Sequence, residues 1–174
     1  MISRLTLLLF VFALGFVACE DDLLSIDRSF AANGVTFDIP ASDEPGTVSV
    51  SENDIDVDLR GQLEEYGISE DRLQEVTLES ATVTINDPSG ELTFDDITDA
   101  AINISAEGQS ATEVASIDDA ATGTTATLTV RDSDIKAYLL ASTISLELSA
   151  TSADAVGEDV TITVVPTYNV VGGL

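Results

Sequence analysis

The chain has 174 residues, with 32 acidic and 6 basic side chains, no histidine, no tryptophan and a single cysteine. A net charge of −26 disfavours nucleic acid and anionic lipid headgroups as partners, because a field of one sign repels them. An apolar fraction of 44% is nevertheless that of a folded domain. With aromatics at only 5%, its core must be built from Val, Ile, Leu and Ala around Phe30, Phe37, Phe94, Tyr66, Tyr138 and Tyr168.

The first eighteen residues differ from the rest. Met-Ile-Ser-Arg4 supplies a positive start, Leu5 to Val17 is an apolar run, and Ala18 is a small residue before Cys19. These are the parts of a secretory signal, and the run is short of the roughly 20 apolar residues that span a bilayer. Phe16-Val17-Ala18-Cys19 resembles the bacterial lipobox, although Phe16 stands where that motif usually has Leu. The resemblance implies cleavage before Cys19, a diacylglycerol on its thiol and an acylated amino group, together enough acyl chains for stable anchoring. Glu20-Asp21-Asp22 is similar to the surface-export signal of lipoproteins in Bacteroidetes-type bacteria. The resulting expectation is a signal peptide over 1–18, a lipidated Cys and acidic tether over 19–27, and one domain over 28–174. Its location would be the outer membrane or cell surface. No cysteine is left for a disulfide, so stability must come from the core.

From residue 28 onward, two-residue alternation dominates, as in strands with one buried face. Val35, Phe37 and Ile39 alternate up to Pro40, and Ala41 to Gly46 has turn chemistry. Val48 and Val50 follow, then Ile55, Val57 and Leu59 with Asp56 and Asp58 between them. Leu59, Leu63 and Tyr66 then share a helical face, and Gly67 is a natural stop. Val76 and Leu78 differ in parity from Ala81, Val83 and Ile85, which predicts a bulge near Ser80. Asn86 to Gly90 ends that strand.

Further strands are predicted around Ile102–Ala106, Ala126–Val130, Ile144–Leu148 and Val160–Val170. Pro166, lacking a donor, marks an edge or a bulge in the last of these. Asp134 to Leu140 reads as a second short helix. Strand, short helix, strand thus occurs twice, over Ile55–Ile85 and Leu128–Ala150. The expected fold is all-β: an antiparallel two-sheet sandwich, immunoglobulin-like or jelly-roll, with two short capping helices at its ends. Phe37, Val57, Val83, Ile104, Leu128, Leu146 and Ile162 should be buried, and Asp56, Thr84, Asn103, Thr129, Glu147 and Thr163 should face outward or sit at the margins.

Chemistry-bearing patterns are sparse. Without histidine, Ser-His-Asp and Cys-His catalysis are excluded, and zinc lacks its usual ligands. A Ser–Lys pair has only Lys136 to draw on, on an expected solvated helix face. No glycine-rich phosphate loop is present, and Gly172-Gly173 reads as a chain end. Oxygen ligands for calcium are abundant. Asp54, Asp56 and Asp58 occupy positions 1, 3 and 5 of a twelve-residue loop ending at Glu65, but Leu59 stands where such a loop needs Gly. These three acids read better as the wet face of a strand. Asp87, Asp95, Asp96, Asp118, Asp119, Asp132 and Asp134 belong to turns, where Asp bonds to its own backbone. The metal candidates are accordingly Asp54, Asp56, Asp58, Asp87, Asp95 and Asp96, and otherwise no cofactor is expected. Carboxylate pairs able to hydrolyse glycosides lack aromatic sugar platforms.

Beyond its signal, the chain resembles small surface lipoproteins of Bacteroidetes-type bacteria. The expectation is a non-enzymatic protein with a structural, adhesive or protein-binding role, held to the membrane through Cys19 and meeting another cell-surface protein. A calcium-stabilised binding module is the first alternative and a carboxylate-based glycoside hydrolase the second.

Overall fold

The computed structural model describes residues 25–56, 58–117 and 121–173. The expectations for Cys19, Val57, Asp118 and Asp119 lie outside the described residues. Nine strands form one antiparallel sheet: β1 (Ser25–Ala31), β2 (Val35–Ile39), β3 (Gly46–Ile55), β4 (Leu73–Asn86), β5 (Ile97–Ala106), β6 (Gln109–Ser116), β7 (Thr125–Val130), β8 (Ile144–Ser152) and β9 (Val160–Gly173). Helix α1 (Leu59–Tyr66) follows β3, and α2 (Lys136–Leu139) follows β7. The spatial order is β1-β9-β4-β7-β6-β5-β8-β3, with β2 also paired to β9, and the sheet is curled into a half-barrel. Both expected strand–helix–strand units are therefore crossovers from one half of the sheet to the other.

Strand parity decides what the curl encloses. Phe37, Val83, Ile104, Leu128, Leu146 and Ile162 are all buried, as their alternation requires. The opposite positions of the central strands carry mostly Thr and Ser. Several pair across strands, as in Thr47–Thr151 at 2.8 Å and Ser49–Ser149 at 3.2 Å between β3 and β8. The predicted bulge is present, because the β4–β9 register shifts between Leu78 and Ser80. Pro166 faces Ala81 just beyond it. Its own strand is central rather than an edge. Pro166 falls between the stretch paired by β1, which stops at Thr167, and the stretch paired by β2, which starts at Val164. On that side its missing N–H leaves no ladder bond unmade.

Four expectations need adjustment. Strand β3 ends at Ile55 instead of running on to Leu59. The sheet begins at Ser25, inside the stretch read as tether. Gly172 and Gly173 continue β9, opposite Ile26 and Ser25 of β1. The two helices do not cap opposite ends. Arg60 of α1 donates through Nη2 to the carbonyl of Leu140, just after α2, at 2.9 Å, so both helices sit at one end.

Helix α1 buries Leu59 and Leu63, the face read from its spacing. It stops at Gly67, whose φ of 71° is the left-handed conformation that closes helices. Its start depends on Asp58, which accepts from the N–H of Gly61 at 3.3 Å. A Cβ at residue 61 would lie 2.6 Å from that carboxylate, so the cap needs glycine there.

Candidate functional site

The candidate acids fall in two places. Asp54 is exposed near the end of β3, and Asp56 and Asp58 form the corner between β3 and α1 rather than the wet face of a continuing strand. Asp54 and Asp58 both have left-handed backbone, with φ of 57° and 44°. Aspartate tolerates this because its short side chain bonds locally. Asp56 Oδ1 accepts the Asp58 N–H at 2.9 Å, and Asp58 caps α1. The chain turns here because Leu59 and Leu63 must enter the core, which a strand continuing from Ile55 would prevent. Glu65, the twelfth residue of the calcium-loop pattern, is exposed on α1.

The second group is the β4–β5 connection. Asp87 Oδ2 accepts from the N–H of Leu92 at 2.6 Å and of Glu91 at 2.8 Å, and Oδ1 accepts from the N–H and hydroxyl of Ser89 at 2.9 and 2.7 Å. The Leu92 N–H, followed by the Ser89 hydroxyl, holds the Asp87 carboxyl far below the usual carboxylate range. Thr93 and Asp96 form a reciprocal cap on the 3-10 turn Phe94–Asp96, and Asp95 Oδ2 accepts the Gly123 N–H at 3.1 Å. A cavity of about 190 Å³ separates this loop from residues Asp154 to Glu158, and Glu158 Oε1 is buried there without a hydrogen-bond partner among the described residues.

No group of three or more ligating carboxylates is drawn together among the described residues. Asp87 and Asp96 instead hold their own loop, Asp87 through four donors, a number that only a carboxylate satisfies. Replacing Asp87 with Asn should therefore destabilise the protein in a pH-dependent way. A carboxyl whose folded value is depressed stabilises fully above its unfolded value of about 3.9, and loses that contribution as pH falls below it. The gap in urea midpoint between wild type and Asp87→Asn should be constant above about pH 5 and should narrow below pH 4. A gap that did not change with pH would mean that the carboxylate's charge plays no part.

Lys136 is half-buried rather than solvated. Its amine donates to the carbonyl of Gln74 at 2.8 Å, tying α2 to the start of β4. Asp134 assists by accepting from the N–H groups of Val76 and Lys136. This is a docking arrangement, and the described residues put no serine hydroxyl on the amine.

A further cavity was not read from the sequence. It lies in the seam where the half-barrel stays open, between the β1–β2 connection and the β3–α1 corner, and has a volume of about 170 Å³. Phe30, Ile144, Leu146, Pro166 and Tyr168 contribute apolar wall, and Asn33, Asp56, Asp58 and Gln62 contribute polar wall. The Phe30 and Tyr168 rings meet at 5.5 Å between centroids, tilted by 45°. Burial pushes the Tyr168 phenol well above its ordinary value. Its hydroxyl makes no hydrogen bond to a described residue. A smaller apolar void of about 20 Å³ shares Leu146, Pro166 and Tyr168 as wall. Four separate stretches of chain build this cavity, so no local motif announces it. A scan against protein-family models and a search of curated proteins return no match for this chain.

Proposed function

We propose that the chain is a lipid-anchored, outward-facing surface protein whose acidic β domain has a non-enzymatic role in binding or adhesion. The observation that carries this reading is Phe16-Val17-Ala18-Cys19, directly after an apolar run with a basic start. Six residue steps separate Cys19 from Ser25, where β1 begins. Extended chain spans at most about 3.6 Å per residue, so the sheet would start within roughly 22 Å of the lipidated residue. The domain then stands close to the bilayer, and its own negative charge keeps it off anionic headgroups. The absence of histidine from the sequence supports a binding role over nucleophilic chemistry.

The half-barrel is read as a variant of the two-sheet sandwich. In support, among the described residues β6 and β7 join through two residue pairs, Ala115–Val130 and Ser116–Thr129. This narrow seam divides β1, β2, β9, β4 and β7 from β6, β5, β8 and β3, and both halves feed one core cluster.

Mass spectrometry of protein extracted from membranes tests the anchor. The expected amino terminus is an acylated Cys19, and Cys19→Ala should accumulate as uncleaved precursor or be released in soluble form. An unmodified mature protein beginning elsewhere would overturn the reading.

A further inference from the structure

We propose that the cavity in the open seam binds a small organic cation, a single ring or short alkyl chain carrying a protonated amine. Size sets the first limit. A volume of about 170 Å³ is close to that of the roughly 150 Å³ apolar cavity that admits benzene, and below the roughly 300 Å³ at which drug-sized pockets begin. The walls set the second limit. Phe30 and Tyr168 are among the lining side chains, and an aromatic wall favours an organic cation over a neutral molecule of the same shape.

Charge sets the third. The two charged side chains lining the cavity are Asp56 and Asp58, with no Lys or Arg among the lining residues, so an anion has nothing to pair with. Each of these carboxylates already accepts one backbone N–H through Oδ1. That leaves Oδ2 of each for an ammonium, which brings three donors. Tyr168 adds a hydroxyl that no described residue engages. The cavity also lies beside Ala31, at the far end of β1 from Ser25. On the reading of Cys19 as the anchor, that is the end of β1 farther along the chain from the lipidated residue. The binding site itself does not depend on the anchor.

Calorimetric titration of the purified full chain with benzylammonium, benzyl alcohol and benzoate tests this. Benzylammonium should saturate at roughly millimolar concentration, and benzoate should not bind. Benzyl alcohol should bind roughly two- to thirtyfold more weakly than the ammonium, the range expected from two rim carboxylates in water. The preference for ammonium should fall as NaCl is raised. The double variant Asp56→Asn/Asp58→Asn keeps the helix cap and tolerates the same backbone, since Asn caps helices and adopts left-handed conformations as Asp does. It should bind the ammonium no better than the alcohol. Ala32→Leu, which adds bulk at the wall, should abolish binding of both. Equal binding of all three probes would overturn the proposal, as would an ammonium preference that survives the double variant. Unchanged binding by a folded Ala32→Leu variant would do the same.

Discussion

Phe37→Ala should lower the free energy of unfolding by about 3–5 kcal/mol, while Asp38→Ala, one residue along, should change it by less than about 0.5 kcal/mol. Phe37 is fully buried, opposite Ile162 of β9, and is among the largest side chains so enclosed. It sits on β2, a short strand whose ladder is to β9 alone, so the ring supplies much of what fixes that strand in place. Truncation removes the ring and leaves a cavity that a curled sheet cannot close without moving a strand. Asp38 points outward, with one long contact from the Thr161 hydroxyl at 3.4 Å. The same contrast applies on β8. Leu146→Ala should cost about 2–5 kcal/mol and Glu147→Ala almost nothing, with Leu146 towards the lower end because it already borders the 20 Å³ void. For a domain of this size each kcal/mol moves the melting temperature by about 2–4 °C, so thermal melts resolve these differences. Equal losses at Phe37 and Asp38 would mean that β2 does not pack by parity.

The fold was legible wherever one face of a strand is continuously apolar. Val35–Ile39, Ala81–Ile85 and Val160–Val164 alternate without interruption, and each buries the face its alternation selects. Strand β6 was missed for a physical reason. Ile102 pairs with Ala115 while Asn103 pairs with Glu113, so Val114 is the extra residue of a bulge, and Val114 and Ala115 are both buried. A bulge that turns two successive residues inward erases the period-two signal. Strand β1 was missed because, from Ile26 to Ala31, only Phe30 is buried. It is held by pairing to β9, a partner that lies near the other end of the chain.

The acidic corner was half legible. The sequence singled out Asp56 and Asp58 but read them as a strand face, because Ile55, Val57 and Leu59 alternate as a strand would. The need to start α1 at Leu59 overrides that pattern. The aromatic floor beneath the corner comes from β1 and β9, and only the curl of the sheet brings Phe30 and Tyr168 there.

The domain from Glu20 onward should melt appreciably higher in 1 M NaCl than in 10 mM buffer. Without residues 1–19, Arg4 among them, five bases face 32 acids, a net charge of −27 on 155 residues. Folding brings these acids closer together than they are in the unfolded chain, so their repulsion opposes folding. The few bases do little against it. Among the described residues, Arg60 pairs with Glu70 and Arg131 with Glu113, and all four side chains are largely exposed, where such pairs contribute about 0–1 kcal/mol each. Lys136 is spent on backbone carbonyls. Screening acts on the whole field at once, as the Debye length falls from about 30 Å at 0.01 M to about 10 Å at 0.1 M and about 3 Å at 1 M. Most of the gain should therefore come below a few tenths molar, which separates screening from general salting-out, whose effect keeps growing with concentration. Millimolar CaCl₂ matched in ionic strength with NaCl should add little, since the acids at Asp87, Asp95 and Asp96 are already engaged by backbone N–H and hydroxyl donors. A large further rise, following RT ln(1 + [L]/Kd), would instead mean a specific calcium site and would favour the calcium-stabilised module. A melting temperature indifferent to NaCl would mean that the fold already compensates its acids, and the argument from net charge would fail.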